Sequence, residues 1–461
     1  MALTGRWVRP ALRWLAGLAV LGVLAGAAIA VALLVTPMQT VTVAGQVIQV
    51  GASAPDLSPS GPGQVDLFGQ SLPTDLRFTG PVRPRLQLSQ ITINSELTTF
   101  VEGARRGGAE RMLGARLADG WKRYFAWETA ITGAGALLLT GAVAGWRRLP
   151  RSTTLKLLAA GLLVAESVNV GAIMITTYSA PGLLRQVHSL NGLVGSVAPR
   201  PRIHLRGRPL PGIQVVVLGD STAAGAGLAP VPGASGTARA CGRSADSYAA
   251  DLSDANGWNV LNLACNGATI RHGLLGPQRH HRHRLPPQLA VAERAGRASV
   301  VIVSVGADDL NWSAMLRYCS VAPRCDDRAS TAYFQQQLAS FSKNYLDLLS
   351  RLAALPSHPQ VIVNRYYDPF GAQPGCLSQA GLTVASLLTL TSRLDTLNQV
   401  LARGAAQFGF SSPQPDFAGH QLCTPQPYVQ GLDAAAPFHP TELGQLAIAL
   451  ADQAAVREPR A

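Results

Sequence analysis

Cysteine is missing from the first 240 residues of this 461-residue chain, and charge is scarce along all of it. Only 14% of residues are charged against 47% hydrophobic, and the mean hydropathy is positive at +0.17. That balance is too apolar for a purely soluble protein and points to membrane segments. No Cys-x-x-Cys pair occurs, which removes the usual spacing of a zinc site. No Gly-Lys-Ser/Thr follows the glycine-rich turn after residue 218, which removes P-loop chemistry. Internal repeats and long low-complexity runs are absent. No nucleic-acid motif accompanies the net charge of +13, in which Arg far outnumbers Lys. The excess is scattered, so it is assigned to membrane topology and anionic surfaces, with no nucleic-acid partner.

The cysteines that are present lie together in the second half: Cys241, Cys265, Cys319, Cys325, Cys376 and Cys423. An even number confined to one region predicts disulfides and an oxidising compartment. Counting alone leaves the pairing open.

Residues 14–35 form an uncharged apolar run long enough to cross a bilayer, preceded by Arg6, Arg9 and Arg13. The run exceeds the roughly 7–15-residue apolar region of a signal peptide, so it reads as a retained anchor. Two further apolar runs, 129–146 and 157–178, are separated by Arg147, Arg148, Arg151 and Lys156. Short loops rich in Arg and Lys stay in the cytoplasm. The expected layout is therefore a cytoplasmic N-terminus with a first transmembrane helix (1–36) and an extracytoplasmic β-rich segment (37–128). A second and third transmembrane helix with a short cytoplasmic loop (129–178) follow, then a linker (179–211) and an extracytoplasmic domain (212–455). Residues 36–75 carry no Lys or Arg, in agreement, while Arg116, Lys122 and Arg123 run against it. Within 37–128, residues 41–50 and 86–93 look strand-like and 103–124 looks like an amphipathic helix. Glu166 and Asn169 lie in mid-span about one turn apart. They are either a functional ionisable site or a polar contact between helices.

After the linker the pattern changes. Candidate buried strands at 213–218, 258–263, 299–305 and 360–364 alternate with helical stretches such as 333–355 and 385–406. This alternation predicts an α/β domain with a parallel sheet covered on both faces. Its active site belongs at the C-terminal ends of the strands.

The first of these strands runs straight into Gly219-Asp220-Ser221, followed by small residues and glycines. A helix starting at Ser221 would aim its amides and dipole at negative charge developing beside the serine. The plainer alternative is a helix cap supplied by Asp220, Ser221 or Thr222. A serine nucleophile needs a base, and His439 stands just before Pro440, expected in the first turn of a helix. The run 279–284, Arg-His-His-Arg-His-Arg, is expected to be a loop. It is either simply solvated or in contact with acidic wall polymers or lipid headgroups.

These blocks, in this order, resemble the GDSL or SGNH serine hydrolases over residues 212–455. Gly219-Asp220-Ser221 is similar to the family's nucleophile block. Residues 261–269 resemble the second block, whose glycine, here Gly267, supplies an oxyanion-hole amide. Gly306-Ala307-Asp308-Asp309 stands where Gly-x-Asn-Asp belongs, and His439-Pro440-Thr441 resembles the final block. Residues 417–423 look like secreted actinobacterial members. The resemblance implies a flavodoxin-like α/β/α sandwich, the SGNH hydrolase fold, and acyl-ester chemistry with no metal and no cofactor. It also implies the pairs Cys241–Cys265, Cys319–Cys325 and Cys376–Cys423. Ser221 and His439 would form a catalytic dyad, with the amides of Ser221 and Gly267 holding the oxyanion.

Two positions depart from the pattern. Asp308 replaces the Asn that donates to the oxyanion, and an ionised carboxylate cannot donate. A protonated Asp308 can, and Asn311 is a substitute donor within reach along the chain. Three residues before the histidine, where the family has Asp, stands Ala436, whose backbone carbonyl would orient the imidazole; Asp433 is the remoter helper. The expected protein is a multi-pass, membrane-anchored, extracytoplasmic esterase acting on acyl esters of lipids or envelope glycans. The alternatives are an acyltransferase of the same fold and a non-catalytic envelope-binding protein.

Overall fold

The computed structural model of the protein describes residues 5–43, 46–56, 58, 60–90, 109–185, 187, 210–280, 283–322, 324–371 and 375–456. They fall into two compact units, one holding most of the described residues up to 187 and the other holding 210–456.

The first unit comprises helix α1 (Gly5–Val35), strands β1 (Gln39–Val43), β2 (Gln46–Ala52), β3 (Ser60–Leu67), β4 (Gln70–Thr79) and β5 (Pro84–Gln90), and helices α2 (Ala109–Trp146) and α3 (Arg151–Arg185). Its sheet has the order β1-β2-β5-β3-β4. Alternate residues of β3 are buried, as expected for a strand with one face on a core. The amphipathic helix expected at 103–124 leads into the apolar run at 129–146, with residues 103–108 outside the described residues. Residues 109–146 are one unbroken helix, because nothing between them, no proline in particular, stops it. Asn169 on α3 donates to Glu128 on α2 at 2.9 Å, and Thr132 donates to the other Glu128 oxygen at 2.9 Å. Asn169 therefore makes the interhelical polar contact, with a partner, Glu128, that the sequence did not single out. Glu166 packs where α2 carries Gly133: a Cβ there would lie 2.7 Å from the Glu166 carboxylate.

The second unit is an α/β domain. Strands β6 (Val215–Gly219), β7 (Val260–Asn262), β10 (Val300–Ser304) and β11 (Gln360–Val363) form a parallel sheet in the order β7-β6-β10-β11. Counting these strands alone, that is the 2-1-3-4 order of a flavodoxin-like sheet. All of β6 and β10 is buried on both faces, so their sequences read as continuous Val, Ile and Leu rather than alternating. Val215, Val217, Val300, Ile302 and Ile362 line one face and pack with Tyr248, Leu252, Leu390 and Ile448. The covering elements are α4 (Ser221–Ala224), α5 (Gly236–Ala240), α6 (Tyr248–Asn256), α7 (Gln288–Ala292), α8 (Trp312–Val321), α9 (Arg328–Ala353), α10 (Val384–Gln407) and α11 (Glu442–Ala455). The chain leaves β6 for β7 on one side, and β10 lies on the other. A crevice forms at such a switch point, beyond the C-terminal ends of β6 and β10.

The expected loop at 279–284 is instead part of a two-stranded hairpin, β8 (Gln278–His280) and β9 (His283–Leu285), with residues 281 and 282 outside the described residues. Disulfides join Cys241 to Cys265, Cys319 to Cys325 and Cys376 to Cys423. The first ties the end of α5 to the segment after β7, within reach of the sheet's C-terminal edge.

Candidate active site

Ser221 is the first residue after the β6 glycine–aspartate pair. The chain can turn here because Gly219 has no side chain: a Cβ would lie 2.5 Å from the Ser304 carbonyl oxygen and 2.8 Å from Ala223. The Gly219 peptide is clamped by a buried glutamine. Its N–H donates to Gln288 Oε1 at 2.8 Å, and its carbonyl accepts from Gln288 Nε2 at 2.9 Å and from the Cys265 amide at 3.0 Å. The helix expected from Ser221 onward is a single turn. Gly225, in the left-handed conformation at φ 74°, ends it, and Asp220 caps it by accepting from the Thr222 amide at 2.9 Å. One turn carries little macrodipole, so stabilisation of negative charge here rests on individual donors.

His439 reaches Ser221 from the far end of the chain, with Nε2 2.8 Å from the serine Oγ. Its Nδ1 lies 3.2 Å from the Pro437 carbonyl. A carbonyl only accepts, so the ring proton sits on Nδ1 and Nε2 is left to take the serine proton. The orienting carbonyl is thus Pro437 and not Ala436, whose oxygen accepts the His439 backbone amide at 3.2 Å. Asp433 is exposed on a turn, and no hydrogen bond joins it to the imidazole. Pro440 lies outside the helix: Thr441 is the cap and α11 begins at Glu442. What fixes the histidine is a short antiparallel bridge, in which Gln430 N–H donates to the His439 carbonyl at 2.7 Å and Phe438 N–H to the Gln430 carbonyl at 3.1 Å. Phe438 sits at φ 67°, rare for a bulky residue, and Tyr367 Oη holds its carbonyl at 2.8 Å.

The loop after β7 brings Gly267 alongside through the Cys265–Gly219 bond. Gly267 adopts φ 71°, and a Cβ there would meet only Gln278, at 3.9 Å. The amides of Ser221 and Gly267 have no acceptor among the described residues, so both are available to an oxyanion.

Three carboxyl groups, Asp220, Asp308 and Asp309, lie near enough to act on one another. Asp220 accepts from Tyr366 Oη at 2.6 Å, and that hydroxyl in turn accepts from the Ala307 amide at 2.9 Å. Burial pushes Asp220 up to about 6 against the pull of the Tyr366 bond. Asp309 accepts from the Ile270 amide at 3.1 Å, and burial raises it to about 8. Asp308 is raised to about 7, chiefly by burial and then by the charge of Asp220, with His439 acting in the opposite direction. Its Oδ2 is buried without a hydrogen-bond partner. Asn311, the substitute donor, turns away to Tyr333 Oη at 2.9 Å. Tyr366, Tyr367 and Gln288 were missed in the sequence; only the position of the tyrosines, just beyond β11, pointed to them.

A model of the GDSL-like lipase/acylhydrolase family matches residues 217–447. The lipase of Streptomyces rimosus is 30% identical over 240 residues, covering 50% of this chain and 81% of that one. The chain belongs to this family. Lipase 1 of Streptomyces coelicolor is 26% identical over 242 residues, again 50% of this chain and 81% of its own. Among solved structures, the extracellular lipase of S. rimosus aligns with 53% of this chain and 100% of its own at 22% identity and a TM-score of 0.42. Phospholipase A1 of Streptomyces albidoflavus aligns over 53% and 100% at 21% identity and a TM-score of 0.43. The second unit is therefore a GDSL-type ester hydrolase.

Proposed function

We propose that this GDSL hydrolase is a membrane-anchored enzyme whose catalytic unit works outside the cytoplasmic membrane, cleaving acyl esters of lipids or envelope glycans through a Ser221–His439 dyad. The observation that carries the reading is the 2.8 Å contact between His439 Nε2 and Ser221 Oγ, with Nδ1 held by a carbonyl. His439 takes the serine proton as Oγ attacks the ester carbonyl carbon. The amides of Ser221 and Gly267 and the protonated Asp308 carboxyl donate to the oxyanion. The alkoxide leaves with the proton from Nε2. Water then enters and attacks the acyl carbon as it gives a proton to His439, and His439 returns that proton to Oγ as the acid leaves Ser221. The Pro437 carbonyl keeps the tautomer and orientation but opposes the imidazolium charge less than a carboxylate does.

Several features support the anchoring. Three helices are long and apolar enough to cross a membrane, at Gly17–Val35, Met112–Trp146 and Arg151–Gly171. Each leaves large apolar side chains exposed, such as Leu34, Leu138 and Leu163. On α2, Trp127 and Trp146 are 59% and 85% exposed. At 1.5 Å per residue they stand about 28 Å apart, close to the thickness of a hydrocarbon core, where tryptophans mark both interfaces. Three disulfides suit an oxidising compartment.

The test is a fluorophosphonate probe applied to the full chain in nonionic detergent, with the adduct mapped. The expected result is labelling at Ser221, lost in His439→Ala, together with a fall of at least about 10³ in ester turnover for either variant. A folded, disulfide-intact chain that labels elsewhere or not at all would overturn the dyad.

A further inference from the structure

Tyr366, just past β11, connects the turn after β6 with the turn after β10. Its peptide is pinned by the buried Asn398, which accepts from the Tyr366 amide at 2.8 Å and donates to the Tyr366 carbonyl at 2.8 Å. The phenol oxygen stands between the Ala307 amide, at 2.9 Å, and Asp220 Oδ2, at 2.6 Å. An amide N–H only donates, so the hydroxyl accepts there and its single proton points to Asp220. The other Asp220 oxygen accepts from the Thr222 amide at 2.9 Å. Both oxygens of Asp220 thus accept, which favours the ionised carboxylate. Asp308, the residue after Ala307, is the opposite case: its Oδ2 is buried and meets no hydrogen-bond partner. A charge there would be neither hydrated nor hydrogen-bonded, so Asp308 is the better place for a proton. Burial raises both carboxyls; the Tyr366 bond then pulls Asp220 down, and the charge of Asp220 pushes Asp308 up. The ionisable groups around the pair are Asp309, His439, Tyr248, Tyr366 and Tyr367, and of these only His439 can carry positive charge.

We propose that Tyr366 is a positioning residue that assigns the proton of the Asp220–Asp308 pair: its hydroxyl holds Asp220 ionised, and the Asp220 charge in turn keeps Asp308 in the protonated form that donates to the oxyanion. This rests on the ester-hydrolase reading and on the oxyanion role given to Asp308, and adds the group that sets the pH range of that role. Tyr366 is buried, so its effect passes through the two carboxyls rather than through contact with substrate.

The test is the pH profile of kcat/KM for a short-chain ester, with the full chain in nonionic detergent. Tyr366→Phe keeps the ring and removes the proton donated to Asp220. Asp220 then retains its own proton to higher pH, its charge no longer repels one on Asp308, and Asp308 ionises sooner. The falling alkaline limb is expected about one pH unit lower than in the native enzyme, with KM within about twofold. Asp220→Asn, which abolishes the charge, should move the limb the same way. Tyr367→Phe, whose lost hydroxyl serves the Phe438 carbonyl instead, should leave it in place. In Asp308→Asn the limb is absent, and adding Tyr366→Phe should not bring it back. A limb that stays put or moves up in Tyr366→Phe, or a loss of rate equal at every pH in both backgrounds, makes the tyrosine a structural strut and overturns the proposal. Should Asp308→Asn keep the native limb, the fault lies with the oxyanion role of Asp308, and the proposal falls with it. Where turnover is too slow to follow, pH-difference infrared spectroscopy of Ser221→Ala reads the same proton. The protonated-carboxyl band that Asp308→Asn removes must titrate at lower pH once Tyr366→Phe is added; a band that does not move overturns the proposal.

Discussion

At Asp308 a carboxyl group stands where an amide donor would serve the oxyanion at every pH. Its surroundings make the difference measurable. Asp220, Asp309 and His439 are its ionisable neighbours, and burial, followed by the charge of Asp220, keeps it protonated up to about 7. On the proposed role of Asp308, the carboxyl would donate below that pH, and above it the carboxylate would repel the oxyanion. In the native enzyme kcat/KM should therefore fall about tenfold per pH unit above 7 and level off after a loss of about 10²–10³, the worth of one oxyanion donor. Asp308→Asn donates throughout, so its profile should stay level over the same range and exceed the native value about 100-fold near pH 9. Parallel profiles for the two proteins would remove Asp308 from the oxyanion hole.

Helix α11, which begins three residues after His439, is tied to the sheet by a buried polar contact. Asn364, just past β11, donates to Asp452 Oδ2 at 3.1 Å, while Oδ1 has no partner. Burial raises Asp452 to about 8, well above its value in an unfolded chain. The native state thus keeps a proton that the unfolded state has released. Stability from this group is present below about pH 4 and is lost as pH rises towards 8. Asp452→Asn should flatten that decline: its melting temperature should exceed the native one at pH 8 and approach it near pH 4, and an unchanged slope would count against this account. Nothing in the sequence announced the contact, and the reason is general. Ser221 and His439 were legible because each stands at a strand or turn boundary in a recognisable block. Gln288, Asn364 and Tyr366 act on backbone groups or on one partner across the fold, and such contacts leave no spacing to read. The β8–β9 hairpin escaped for a different reason: Arg and His along residues 279–284 show no apolar alternation, so the period that betrays a strand is missing. The parallel sheet was legible because burial on both faces writes each strand as an unbroken apolar run.

At the scale of the whole molecule, charge distribution and disulfide bonding both bear on the side of the membrane on which each segment lies. Arg147 and Arg148 lie in the turn between α2 and α3, next to the exposed Trp146, and Arg151 and Lys156 follow in the first turns of α3. By the bias of Lys and Arg toward the cytoplasm, that turn should lie inside. The sheet β1–β5 and the α/β unit should then lie outside, where Cys241–Cys265 and the other pairs persist. All six cysteines are in disulfides, so a single new thiol reports its own location. Ser152→Cys should react with a membrane-impermeant maleimide only after the cells are permeabilised. Ser60→Cys, in β3, and Ser235→Cys, before α5, should react in intact cells. If Ser235→Cys is protected in intact cells and Ser152→Cys is not, the orientation is reversed. The disulfides would then form in a reducing compartment, and the argument from the basic turn would fail with them.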